Sequence, residues 1–205
     1  MLAQFVLFNG FDPLDVIAPY EVLYAGGMEA EFVSAEGARE VPSAFGALSL
    51  TAVGRIDPRR ADIVVVPGAA GELSGENSIP VILGRAVDTE LPLLLKESLD
   101  QPDTLVATVC GGSMILAMAG LLGGRPATTN HLGLDTLASA GVRAIDARVV
   151  DDGDLVTAAG VTSGLDLGLY LLERELGAQV ALAVEKLFSH ERRGTVWREE
   201  VMPRS

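Results

Sequence analysis

The stretch Thr104-Leu105-Val106-Ala107-Thr108-Val109-Cys110-Gly111-Gly112-Ser113-Met114-Ile115-Leu116-Ala117-Met118-Ala119-Gly120-Leu121-Leu122-Gly123-Gly124 carries no charge at all. It is long enough to span a bilayer, but its two halves differ in kind. The half before Gly111-Gly112 is rich in β-formers, the half after it is small and aliphatic, and a glycine pair suits a sharp turn between them. A buried strand running into a buried helix is the better reading, with Cys110 at the junction.

Outward from this stretch, apolar runs of strand length alternate with longer helical patterns, as expected for a parallel sheet covered on both faces. Leu2–Phe8 reads as the first strand. Asp12 then caps a helix with Pro13 at its first position and a stripe of Leu14, Ile17 and Leu23, which Pro19 should kink or divide. Ala30–Ser34 is a short strand, Glu40–Thr51 a hairpin or edge excursion, and Ile63–Val66 a central strand ending at Pro67-Gly68. A polar loop at 71–78 leads to one helix over Pro80–Leu99. After the central stretch, whose helix should run over Ser113–Leu122, come a strand at Arg125–Thr129 and a helix over Leu132–Ala140. Arg143–Val150 and Leu155–Ala158 form a candidate hairpin about Asp152-Gly153. Two helices, Thr162–Leu176 (capped by Thr162 or Ser163) and Gln179–Ser189, complete one expected domain over residues 1–205, with residues 190–205 as a charged tail.

Composition narrows the function. The 205 residues are 49% hydrophobic and 21% charged, enough for a full core. With 28 acidic and 15 basic residues the net charge is −13, which disfavours nucleic acid and anionic membranes as partners. A lone cysteine excludes an intrachain disulfide, and two histidines cannot build a His/Cys metal cage. No metal is expected. The N-terminus carries no basic region ahead of an apolar stretch, so the expectation is a cytoplasmic protein.

Cys110 stands where a strand meets a helix. A residue at such a turn is lifted clear of the sheet, and small neighbours let the chain turn there. Backbone N–H groups at the helix start can hold an oxyanion and lower a thiol's pKa, here below the free value of about 8.5. The same cysteine also reads as a small buried apolar residue. Pro67-Gly68-Ala69-Ala70-Gly71 follows the other central strand, so it should share a rim with Cys110. Asp15 sits among Leu14, Val16 and Ile17, where poor hydration would raise its pKa. A solvent-facing aspartate near a helix start explains it as well. His131 could pair with the thiol or cap a helix, and His190, beside Glu191-Arg192-Arg193, reads as solvated.

These residues occur in an order that resembles the ThiJ/PfpI family of the class I glutamine amidotransferase-like fold. The resemblance is carried by Leu14-Asp15-Val16-Ile17-Ala18-Pro19, Val66-Pro67-Gly68-Ala69 and Val109-Cys110-Gly111-Gly112-Ser113. Ala119-Gly120-Leu121-Leu122 with Arg125-Pro126-Ala127-Thr128-Thr129, and Gly160-Val161-Thr162-Ser163-Gly164-Leu165-Asp166, complete it. It spans Leu2 to about Leu176 and is closest to the isocyanide hydratase branch and the related ligand domains of some transcription regulators. No helix-turn-helix pattern follows Leu176.

The resemblance implies an α/β fold: a three-layer α/β/α sandwich with a mostly parallel, doubly wound, flavodoxin-like sheet and a nucleophile elbow. It implies Cys110 as nucleophile, Asp15 as the acid facing its sulfur, and Gly68, Ala69 and Gly111 as oxyanion or substrate donors. Asn130, His131 and Thr162 are auxiliary candidates. It also implies a homodimer without cofactor, acting on a small, uncharged molecule such as an isocyanide, which would leave as an N-substituted formamide. Amidase, deglycase or glyoxalase-type chemistry, and a non-catalytic ligand- or redox-sensing role, are the alternatives. The chain departs from the family pattern at two places. Gly111 stands where the hydratase pattern has Thr and the protease-like members have His, and Thr-Thr-His becomes Thr128-Thr129-Asn130, with His131 one place late.

Overall fold

In the computed structural model, which describes residues 1–199, the chain begins β1 (Leu2–Leu7), α1 (Pro13–Ala25), β2 (Glu29–Ser34), β3 (Arg39–Pro42), β4 (Ser49–Ala52), β5 (Gly54–Arg55) and β6 (Ile63–Val66). It continues through α2 (Ile79–Val87), α3 (Leu91–Asp100), β7 (Leu105–Val109), α4 (Gly112–Met118), β8 (Pro126–Ala127), a 3₁₀ turn at His131–Gly133 and α5 (Leu134–Ser139). β9 (Arg143–Ala144), β10 (Val149–Asp151), β11 (Leu155–Ala158), α6 (Ser163–Leu176), α7 (Ala178–Phe188) and β12 (Trp197–Arg198) follow. Eight strands form the main sheet in the order β12-β10-β11-β7-β6-β1-β2-β5. Every pairing in it is parallel except the β10–β11 hairpin.

The sheet is doubly wound. From β1 the chain goes to β2 on one side and later to β6 on the other, so the order reverses between β1 and β6. Helix α1 packs on α6 and α6 on α7, while α2 and α3 pack on α4. β6 and β7 lie in the middle, and all their residues are buried. That is why both read as unbroken apolar runs without a solvent-facing alternation. The uncharged stretch is therefore β7 plus α4, and among the described residues no helix is long and apolar enough to cross a membrane.

Several expectations need correction. Pro19 does not divide α1. Its ring fits a notch on α6, where a β-carbon on Gly164 would stand 2.9 Å from Pro19 Cδ. The predicted 80–99 helix is two helices, because Thr89 Oγ1 accepts the Leu91 N–H and starts α3, with Pro92 in its first turn. α4 is shorter than predicted, since Gly120 turns left-handed (φ +74°) and the Leu121 N–H closes on the Leu116 carbonyl. The predicted 125–129 strand shrinks to β8, which pairs only with β9 outside the main sheet. Residues 143–150 are two strands, β9 and β10, with an irregular stretch between them.

The charged tail is likewise partly structural: β12 adds an eighth strand beside β10. Arg143 lies over the Trp197 ring, and Arg198 over the Tyr170 ring. Residues 200–205 of that tail lie outside the described residues.

The start of α4 lies tightly against the end of β6. A β-carbon on Gly112 would stand 2.1 Å from the Val66 carbonyl oxygen, a distance at which backbone must move. Gly112→Ala should therefore lower stability by about 3 kcal/mol, read as the urea midpoint by circular dichroism. Gly123→Ala, with nothing within 4 Å of the added carbon, should leave the midpoint close to that of the native chain.

Candidate active site

Cys110 has φ +55°, a left-handed conformation that a side-chain-bearing residue rarely takes. Such a conformation costs about 1–3 kcal/mol and persists only where the surroundings fix it. Here the backbone is clamped on both sides. The Cys110 N–H points at the carbonyls of Ala158 and Ala159 (3.0 and 2.9 Å), and its own carbonyl accepts the Thr129 hydroxyl at 2.9 Å. The result is a sharp turn from β7 into α4 that directs the side chain toward α1.

From α1, Asp15 is 0% exposed, and its Oδ2 accepts the Gly68 N–H at 2.9 Å. The Cys110 thiol lies beside this carboxyl, near enough for each to shift the other's titration. Oδ1 is buried with no hydrogen-bond partner among the described residues. An ionised carboxylate would be poorly served there, whereas a carboxylic acid can carry its proton on that oxygen. Burial, with the charge of Asp12 added, accordingly lifts Asp15 well above the usual carboxylate range, and the Gly68 hydrogen bond and the neighbouring Cys110 thiol recover only part of that. Asp12 is the N-cap, accepting the Leu14 N–H at 3.0 Å, and burial lifts it as well.

The sulfur is not in the expected state. Burial first, then the Asp15 carboxyl, push the Cys110 thiol up to about 12, against the weaker pull of the Asn130 side chain and the Gly111 N–H. The predicted thiol below 8.5 is thus overturned. The start of a seven-residue helix does not offset a sulfur that is only 7% exposed beside a carboxyl. Acid and thiol are thus both shifted toward their protonated forms.

The other predicted residues divide. Asn130 Nδ2 lies 3.5 Å from Cys110 Sγ. Gly68 and Gly111 adjoin the site, and a β-carbon on Gly68 would fall 2.5 Å from the Gly111 nitrogen and 2.9 Å from Asp15 Oδ2. The Gly68 N–H is committed to Asp15, and the Gly111 N–H lies close enough to the sulfur to lower its pKa. Ala69 is held beside Phe11 by an isolated bridge. His131 does not reach the sulfur. It is exposed and lines a neighbouring cavity of about 370 Å³ with Thr129, Asp146, Arg148 and Gly160. Thr162 is exposed, makes no side-chain cap and instead accepts from Arg148 at 3.2 Å.

His190 is not solvated, since it lies half-buried with Nε2 3.5 Å from Asp166 Oδ2. Thr129, which locks the elbow's carbonyl, carried no sign in the sequence beyond its place in the Thr-Thr pair. Larger cavities of about 550 and 650 Å³ lie elsewhere and do not include Cys110. It is the paired thiol and carboxyl, not void volume, that mark the site.

Fold and elbow together define a class: a doubly wound α/β protein with a cysteine at a strand-to-helix turn and an acid from the first helix against it. The DJ-1/PfpI family model matches residues 1–174, and the chain belongs to that family. It is 31% identical over 181 residues to the isonitrile hydratase of Pseudomonas putida, covering 88% of this chain and 75% of that protein. It is 32% identical over 160 residues to the deglycase PfpI of Pyrococcus furiosus, covering 77% of this chain and 89% of that one. Among solved structures it is similar to a ThiJ/PfpI family protein from Pseudomonas syringae, with TM-score 0.78 and 26% identity over 94% of this chain and 76% of that one.

The raised acid has a consequence for stability. Its proton is favoured by folding, so its contribution is fully present below the ordinary value of 3.8 and is lost as pH rises through the folded value. Asp15→Asn keeps an acceptor for Gly68 and escapes this loss. Its urea midpoint should exceed that of the native chain at about pH 8, and the difference should close below about pH 4. The same substitution removes a like charge from the sulfur, so the alkylation of Cys110 at about pH 8 should quicken.

Proposed function

We propose that this chain is a cysteine-dependent hydratase that converts an isonitrile to an N-substituted formamide. The observation that carries this reading is the fully buried Asp15 carboxyl, set beside Cys110 and with one oxygen unpartnered among the described residues. The similarity to an isonitrile hydratase supports the choice of substrate. An uncharged substrate suits a site where any added charge would be poorly hydrated.

The reaction needs one acid that gives and takes a proton at carbon and nitrogen. The thiol adds across the terminal carbon of R–N≡C: a C–S bond forms, the sulfur's proton passes through Asp15, and carbon receives a proton, leaving R–N=CH–S–Cys110. Water then adds to that carbon as the nitrogen takes a proton, giving R–NH–CH(OH)–S–Cys110. The C–S bond breaks, the sulfur recovers its proton through Asp15, and R–NH–CHO departs. The sum is R–NC plus water, and Asp15 ends as it began. An acid lifted toward the working pH suits this two-way traffic, and covalent attachment divides one hard step into easier ones. The Ala69 N–H, which donates no backbone hydrogen bond elsewhere among the described residues, is the donor best placed to hold charge developing at the substrate.

A second reading is favoured by two observations. A β-carbon on Gly111 would press on Leu83 Cδ1 at 3.3 Å, so Leu83 of α2 takes the space of a residue that other branches use. The sulfur also opens onto none of the larger cavities. Both suit a module that binds a ligand or is oxidised at Cys110 without turnover.

Formamide release from a model alkyl isonitrile separates the readings. The native chain should turn over, Cys110→Ser should be inactive, and Asp15→Asn should lose a factor of about 10² to 10⁴. Stoichiometric binding without turnover supports the sensing module, and turnover of methylglyoxal instead supports deglycase or glyoxalase-type chemistry.

A further inference from the structure

Asn130 is the only side chain with a hydrogen bond to Cys110 Sγ among the described residues. Its carboxamide is not free to rotate. Asn130 caps the 3₁₀ turn, and Oδ1 accepts the Leu132 N–H at 3.1 Å. With the oxygen so fixed, the NH₂ must face the sulfur. On its far side Gly160 leaves just enough room, since a β-carbon there would stand 3.1 Å from Nδ2. The preceding residue, Thr129, holds the Cys110 carbonyl. Two consecutive residues therefore grip the elbow, one by its backbone and one by its sulfur.

The surroundings of the sulfur make that contact matter. The titratable groups facing it are the Asp15 and Asp12 carboxyls of α1. The 67–69 loop and the start of α4 present Pro67, Gly68, Ala69, Gly111, Gly112 and Ser113, none of which ionises at working pH. His131, Asp146 and Arg148 face the neighbouring cavity with Thr129 and Gly160, and Cys110 is not part of its wall. Two carboxyls oppose a sulfur anion, and the one side-chain donor against them is neutral.

We propose that Asn130 stabilises the reacting sulfur anion through a fixed N–H donor, so that the Cys110–Asp15 pair ionises without any imidazole in its network. The inference rests on the reading of Cys110 as the reacting atom, but not on the identity of the substrate. As Asp15 gives its proton to the reaction partner and takes up the thiol's, the charge that develops on Sγ draws a stronger hydrogen bond from Nδ2, and no proton leaves Asn130. The displaced His131 is not needed.

Cys110 is the chain's sole cysteine, so iodoacetamide alkylation, followed by intact mass, reports this sulfur alone and requires no turnover. Rates are measured from about pH 6 to about pH 10. For the native chain the rate should climb with pH and show no inflection in the imidazole range near about 6.5. Asn130→Leu, which removes the donor, should slow alkylation by about tenfold or more across this range. Asn130→Asp keeps the capping oxygen but replaces the donor with an acceptor, and should slow it at least as much. Asn130→His should introduce the missing inflection and raise the rate on its acid side.

A native profile with an imidazole-range inflection overturns the proposal. So does an Asn130→Asp chain, folded by circular dichroism, that alkylates at the native rate. If Asn130→Leu fails to fold, the isosteric Asn130→Asp decides the matter alone. Absence of isonitrile turnover alongside the expected alkylation profiles would overturn the hydratase reading and leave Asn130 in its role.

Discussion

The site depends on a contact between backbones. Gly112 lies against the Val66 carbonyl, and Gly68 lies against the Gly111 nitrogen. These approaches bring the ends of β6 and β7 together closely enough for the Gly68 N–H to reach Asp15 while Cys110 turns left-handed beside it. Glycine is required at both positions for simple reasons of volume, since the atoms a β-carbon would strike are mostly backbone and cannot rotate away. The strain at Cys110 is then held by hydrogen bonds from β11 and Thr129 rather than by the cysteine's own preference.

That geometry forces an electrostatic compromise. Bringing an acid from α1 against the sulfur removes both from water, and burial raises each toward its protonated form. A thiolate held ready at rest is thereby given up. What is obtained is a pair in which a proton can move between sulfur and carboxyl without crossing solvent, a different way of using a cysteine from lowering its pKa. The net charge of −13 works in the same direction, since nothing in the overall field favours an added anion.

Much of this was legible in the sequence where packing demands are severe. The alternation of short apolar runs with helical patterns marked the doubly wound sheet, because strands buried on both faces leave no room for polar residues. Cys110 was legible at its turn because a sharp turn needs small neighbours, whereas the residues alone left Asp15 open and only the family resemblance set it against the sulfur. What escaped was set by distant contacts. Pro19 lies within an undivided α1, and its ring packs where Gly164 on α6 has no side chain. The pairing of Trp197–Arg198 depended on an open edge at β10. The sequence left His131 open between pairing with the thiol and capping a helix, and a 3₁₀ turn that begins at His131 leaves it exposed and puts its cap, Asn130, at the sulfur.

The change from imidazole to carboxamide at that position fits the rest of the site. A histidine there would carry a charge of its own over part of the physiological range, and beside two carboxyls it would draw their protons as well as the sulfur's. With a carboxamide the only mobile proton near Cys110 is the one shared with Asp15. A pair of that kind is suited to a substrate that must be protonated once at carbon and once at nitrogen by the same group. It is poorly suited to one that arrives charged, because neither the carboxamide nor the buried acid can neutralise it.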